Sequence, residues 1–310
     1  MTAESQWYEE VAPGVRQIAM PIADFTWLDI DLEQAGPDLQ PWVSNPDVAA
    51  LMREPFTECG RLRVAEATLI RVELPAELTE GHQPIRLSIL LSKNQLVIAR
   101  RGPLESLQEF TADIVKHGSK LTPLIVTCEL LDDILDLVRS PISTTAERLR
   151  EFEDLVGDTS NRASNEQEIA EIRRNILQIE RQLDPMQTLL KRLLVDASTT
   201  YHTKEVTALR ELSDRADWFQ RRTQHQLDHA RILTDQIHMQ TMDDMSTSMY
   251  RLSIIATIFL PLSFITGLLG INVGGIPGSK EHHAFWVVCG GLLAVAIVTF
   301  LAVSRAMKRN

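Results

Sequence analysis

LSIIATIFLPLSFITGLLG, residues 252–270, and AFWVVCGGLLAVAIVTFLAV, residues 284–303, contain no charged side chain. A helix needs roughly 20 apolar residues to cross a hydrocarbon core about 30 Å thick. Two membrane spans are therefore predicted, at about 251–270 and 284–304, joined by a loop at 271–283. A buried helical hairpin of a soluble core is the alternative, although two such stretches back to back are rare in cores. The loop holds one basic residue, Lys280, whereas Arg251 precedes the first span and Arg305, Lys308 and Arg309 follow the second. Lysine and arginine accumulate on the cytoplasmic side of bacterial membrane proteins, which places both termini inside and the loop outside an inner membrane crossed twice. Trp286 suits an interfacial anchor near the outer surface.

Working outward, the chain before Arg251 is of a different kind. The whole sequence of 310 residues has formal net charge −11, but residues 251–310 carry +4 and residues 1–250 carry −15. Such a surface repels phosphate backbones, so nucleic acid is excluded as a partner. The carboxylates either keep the chain soluble or concentrate cations. Three cysteines, Cys59, Cys128 and Cys289, are scattered and form no C-x-x-C pair, which argues against a disulfide framework and a structural zinc site of that type. The opening MTAESQWYEEV has no basic or apolar leader region, so residues 1–250 are expected to remain in the cytosol.

Residues 165–195 repeat apolar groups as a coiled-coil seam: Ile169, Ile176, Leu183 and Leu190 in one line, Ile172, Ile179, Met186 and Leu193 in the other. Pro185 is expected to kink this helix, and a break near 196–202 lets the chain turn back. From Lys204 to Leu260 no glycine or proline intervenes, so one helix is expected to run into the first span. Its packing face is Leu209, Leu212, Ala216, Phe219, Ala230, Leu233 and Ile237. Nearly opposite lies a seven-residue line of Asp228, Asp235, Met242, Met249, Ala256, Ser263 and Gly270. Leu252, Leu260 and Gly267 fall beside it. If several copies surround an axis, this line faces that axis and lines a path; otherwise the aspartates are a solvated face and the methionines touch lipid. Pro261 and the small or hydroxyl residues of the first span fit a helix beside a wet cavity, and equally helix–helix packing through small residues.

Residues 1–140 mix strand and helix signals. Strands are predicted at 25–31, 68–73, 86–91 and 95–100, with 92–94 connecting a hairpin, and helices at 104–116 and 125–138. The fold class is α+β. It comprises an N-terminal cytoplasmic α/β/α domain (1–140), a long helical coiled-coil stalk (141–250) and two C-terminal transmembrane helices (251–310). No phosphate loop, His-Glu-x-x-His or nucleophile elbow occurs, so no enzyme and no tightly bound cofactor is expected.

The junction FLPLSFITGLLGINVGGIPG, residues 259–278, resembles the CorA family of divalent-cation channels, in which a Gly-x-Asn motif closes the first span. Here the motif is Gly270-Ile271-Asn272. Isoleucine at its middle, followed by Gly274-Gly275-Ile276-Pro277-Gly278, looks like the ZntB-type zinc branch rather than the magnesium-type members. The resemblance implies a funnel-shaped homopentamer in the lipid bilayer with the first span lining the pore. It also implies Asn272 as an outer selectivity ring touching the cation through its water shell, Met249 and Leu252 at a hydrophobic gate, and Asp235 as a regulatory carboxylate in a cytoplasmic funnel shared with Asp228 and His238. The implied cargo is Zn2+, with Mg2+, Co2+, Ni2+ and Cd2+ as alternatives and protons as a coupled ion. Physical chemistry is compatible: the partly negative C-terminal end of the first span would meet the external mouth, and Gly270 suits a helix end that needs a left-handed or close-packed turn.

Histidines add candidates. His225 and His229 have the four-residue spacing of a zinc-capable helical pair. His282 and His283 sit beside Glu281 in the loop, where they would capture zinc or exchange protons. Solvent exposure is the plainer reading of each. Three functions remain open at this point: a zinc transporter, a magnesium or cobalt channel, and a membrane-tethered coiled-coil scaffold without a pore.

Overall fold

The computed structural model describes residues 8–19, 24–56, 59–64, 66–74, 85–102, 111, 114, 121–155, 162–270 and 283–307. The chain divides into two compact units, Met1–Thr234 and Asp235–Asn310.

The first unit is built on a seven-stranded sheet of order β1-β2-β3-β7-β6-β5-β4. Its strands are β1 (Tyr8–Ala12), β2 (Val15–Ile18), β3 (Thr26–Asp31), β4 (Gly60–Val64), β5 (Ala67–Leu74), β6 (Ile85–Leu91) and β7 (Gln95–Arg101). Only the central β3–β7 pair is parallel; every other neighbouring pair is antiparallel. The hairpin predicted at 92–94 joins β6 to β7, closed by Ser92 N donating to Gln95 O at 3.0 Å. Both faces of the sheet are apolar, as buried alternation requires. Leu28, Ile30, Leu69, Leu90 and Val97 pack one face against α1 (Pro46–Arg53) through Val48, Ala49 and Met52. Helix α1 starts where Asn45 Oδ1 accepts from Asp47 N and Val48 N, with Pro46 pre-set for the first turn.

The other face, with Trp27, Ile70, Leu87, Ile89 and Ile98, is covered by α2 (Pro123–Asp136) and by the long helices α4 (Arg162–Thr200) and α5 (Thr203–Leu269), in one continuous core. All eight predicted seam residues of α4 are buried, as are the packing residues predicted on α5. Helix α3 (Arg139–Leu155) is tied to α5 by a buried relay: Thr145 Oγ1 donates to Gln226 Oε1 at 3.0 Å, and Gln226 Nε2 donates to Ile142 O at 2.8 Å. Arg215 of α5 forks onto Asp132 and Asp136 of α2.

The turn between α4 and α5 is tighter than predicted. Helix α4 continues to Thr200, because Ser198 and Thr199 bond back to the Val195 and Asp196 carbonyls instead of interrupting the helix. Only Tyr201 and His202 turn the chain, and Glu205 Oε2 accepts from His202 N at 2.9 Å to cap α5. Helix α4 also passes through Pro185 as one helix. The helix predicted at 104–116 lies outside the described residues, apart from Thr111 and Ile114, which are helical.

One buried carboxylate gives a pH test of this unit. Asp29 on β3 is 5% exposed, and Arg100 Nε approaches its Oδ1 at 3.4 Å while Arg100 Nη2 lies 3.2 Å from Asp31 Oδ2. Burial pushes the Asp29 carboxyl above the ordinary range, against the opposing pull of Arg100 and Arg16. A raised acid holds its proton longer folded than unfolded. Its contribution to stability therefore falls as pH rises from about 4, the ordinary aspartate value, through the raised one. Urea denaturation should show the stability of Asp29→Asn rising relative to wild type between pH 4 and pH 7. A constant difference would contradict this reading.

Candidate functional site

The second unit holds the end of α5, from Asp235, and helix α6 (Ala284–Met307). Both contain windows long and apolar enough to span a membrane, and no residue in either window is buried. A soluble core hairpin would be buried, so that alternative fails.

Within α5 the exposure is patterned. Ile254, Ile258, Pro261, Leu262 and Ile265 are half-buried, while Leu252, Ala256, Leu260, Ser263, Gly267 and Gly270 are exposed. At about 100° per residue the half-buried set forms one stripe. The exposed set, continued back through Met249, Met242 and Asp235, lies on the opposite side. Helix α6 has a matching stripe of half-buried Val288, Cys289, Leu292, Val295, Ala296 and Thr299. Hydroxyls in the span do not all project from it: Thr257 donates to Ser253 O at 2.7 Å and Thr266 to Leu262 O at 2.9 Å, each satisfied by its own helix.

Gly267 has open space where a Cβ would stand, with nothing within 4 Å. Gly270 ends α5 with its N–H donating to Thr266 O at 2.9 Å. It does not adopt the left-handed conformation considered for it. A Cβ there would sit 3.3 Å from the Thr266 carbonyl oxygen of its own last turn. Ile271, Asn272 and His282 lie outside the described residues.

Of the predicted acidic positions, Asp228 is in the first unit and pairs along its own helix with Arg231 at 2.8 Å. Asp235 is exposed and makes no ion pair among the described residues, and His238 is exposed one turn on. His225 is exposed, whereas His229 is half-buried with Nε2 3.4 Å from Glu153 Oε2 of α3. His283 is exposed at the start of α6, where its carbonyl accepts from Val287 N. Among the described residues no three His, Cys, Asp or Glu side chains gather as a metal cage. The sequence reading picked out Met242 and Met249 but missed their exposed neighbours Met239 and Met245. The signal available for them was the repeated three- and four-residue spacing of methionine.

A sheet-and-helix unit joined through one continuous helix to two exposed apolar spans defines a membrane protein whose first span presents a face that nothing among the described residues covers. Residues 23–305 match the CorA-like Mg2+ transporter protein family. The chain belongs to that family, whose members are transporters of divalent cations rather than enzymes. It is 26% identical over 282 residues to the divalent cation transporter CmaX of Pseudomonas aeruginosa, covering 88% of this chain and 84% of that one. It is 26% identical over 298 residues to the zinc transport protein ZntB of Photorhabdus laumondii, covering 92% and 87%. A solved structure of full-length CmaX superposes with a TM-score of 0.68 at 25% identity, over 91% of this chain and 88% of that one.

Proposed function

We propose that this chain is a subunit of a homopentamer in the bacterial inner membrane that conducts Zn2+, driven by a proton gradient, through a central path lined by the exposed face of α5. The observation that carries this reading is the two-sidedness of α5. Its half-buried stripe is accounted for inside the chain, whereas the line from Asp235 to Gly270 is left for other copies. Zinc is favoured over magnesium by Ile271 and the Gly274–Gly278 run, and by the likeness to ZntB. The family's name for Mg2+ keeps the magnesium channel as the second reading.

The mechanism follows from the residues. Acidic positions at the cytosolic end raise the local concentration of cations. Met242, Met249 and Leu252 narrow the path with apolar groups, and such constrictions gate by excluding water. Toward the outer mouth Ser263 and Gly267 widen it. The C-terminal end of the span turns carbonyl oxygens toward the opening, five times over, which attracts cations. Asn272 then offers amide oxygens to the water shell, so that an ion is selected without being trapped as a thiolate–imidazole cage would trap zinc.

The test is zinc uptake by the purified full-length protein in liposomes loaded with a fluorescent zinc indicator, with and without an imposed pH gradient and with magnesium as competitor. Zinc entry that accelerates with the inward proton gradient and resists magnesium is the expected result. No uptake of any divalent ion would leave the scaffold reading, and magnesium entry alone would select the second one. Asn272→Ala is expected to lower the zinc rate by about tenfold or more, because an alanine ring has no oxygens to present. A normal rate in that variant would remove the selectivity ring from the mechanism.

A further inference from the structure

Between His238 and Met249 the only apolar residue type is methionine, at positions 239, 242, 245 and 249, among Gln240, Thr241, Asp243, Asp244, Ser246, Thr247 and Ser248. Four of the nine methionines of the chain fall in these few residues. All four are well exposed, between 59% and 72%, and His238 is exposed as well. The stretch is helical throughout, so spacing fixes the grouping. His238 and Met242 are four apart, Met242 and Met245 three, Met245 and Met249 four. Side chains so spaced stand over one another, with Cβ atoms about 5–6 Å apart. His238, Met242, Met245 and Met249 thus share one face, with Met239 at its margin.

An apolar seal does not need this composition. Leucine serves that purpose as well one turn later, at exposed Leu252. What methionine adds is a polarizable sulfur with a lone pair. Thioethers are soft, neutral ligands that select soft ions such as Cu(I) over Zn2+ or Mg2+, and imidazole accepts copper too. Soft d10 monovalent ions are content with two or three ligands, which neighbouring positions on one helix supply. We propose that His238, Met242, Met245 and Met249 form a binding face for a soft monovalent metal ion, Cu(I) in the cell and Ag+ as its redox-stable equivalent. The face is complete on a single helix and does not depend on which divalent ion the protein transports.

The test uses full-length protein in detergent, labelled with 13C at the methionine methyls and titrated with Ag+ beyond the three equivalents that the cysteines of the chain can take up. The methyl resonances of Met242, Met245 and Met249, assigned by single leucine variants, should shift together. Those of buried Met52 and Met186 should stay in place. The same excess of Zn2+ should leave all five unmoved. The triple variant M242L/M245L/M249L keeps the volume and helix preference of the face. It should bind Ag+ at least tenfold more weakly by competition with a chromophoric chelator, and unchanged Met52 and Met186 signals in it would show that the fold is intact. His238→Ala should weaken Ag+ binding in the same direction. If the three exposed methyls ignore Ag+, or if Zn2+ moves them as Ag+ does, the proposal is overturned. Neither result bears on zinc uptake, which is measured separately in liposomes.

Discussion

A Gly267→Phe variant is expected to insert and assemble normally yet take up less than about a tenth as much zinc as the wild type, because a hydrophobic plug in a narrow pore excludes water and ions. The structure makes this separation of folding from transport possible. Outside its own helical turn, no atom of the described residues lies within 4 Å of the place a Cβ would take at Gly267, so a side chain starts into open space there. Replacing glycine inside a helix also removes a conformational cost of up to about 1 kcal/mol. If five copies present this face to a common axis, five phenyl rings converge on it. Leu268→Phe is the matched control: its position is about 100° further round the helix, and Leu268 is already exposed. That variant should transport at nearly the wild-type rate. Wild-type uptake by Gly267→Phe would place the exposed face of α5 against lipid and remove the path from the mechanism.

How much of this was legible beforehand differs by element, for physical reasons. The spans were readable because length and apolarity suffice to define them. The seam of α4 was readable because a strict heptad leaves a coherent pattern, and every residue of it from Ile169 to Leu193 is buried. Strands β5, β6 and β7 have long β-branched or aliphatic runs. By contrast β1 reads YEEVA, with two carboxylates on an edge strand, β2 has four residues, and β4 reads GRLRV. None has enough alternation to rise above a loop. Helix α1 carried its start signals in Asn45 and Pro46 but has only eight residues, and α3 is polar with Pro141 in its first turn. At the site, periodicity put Asp235, Met242, Met249, Ala256, Ser263 and Gly270 on one line. It did not say which side of α5 the rest of the chain shields; the half-buried stripe through Ile258 and Ile265 supplies that. The tightness of the turn at Tyr201–His202 also escaped the sequence reading, since a run of serine and threonine suggests a break until their hydroxyls are seen bonded to the helix itself.

Phe219→Ala should produce the largest loss of stability of any single truncation in α5, about 3–5 kcal/mol, since removing a fully buried phenyl ring forfeits its transfer energy and leaves a cavity that rigid neighbours only partly fill. Phe219 is 2% exposed and belongs to the core that joins the sheet face, α2 and α4 to α5. Its neighbour Trp218 supplies the control. The two rings meet edge to face at 5.1 Å, but Trp218 is 51% exposed, with the Arg222 guanidinium 5.4 Å from its ring centre. Trp218→Ala removes a larger aromatic yet opens no cavity, so its cost should stay near the edge-to-face and cation–π terms, about 1–2 kcal/mol. Thermal unfolding of the intact protein in detergent should therefore show a drop on the order of 10 °C for Phe219→Ala and a few degrees for Trp218→Ala. Equal losses would mean that the two rings act as one surface cluster. The core joining sheet to stalk would then lie elsewhere along α5, among Leu209, Leu212 and Ala216.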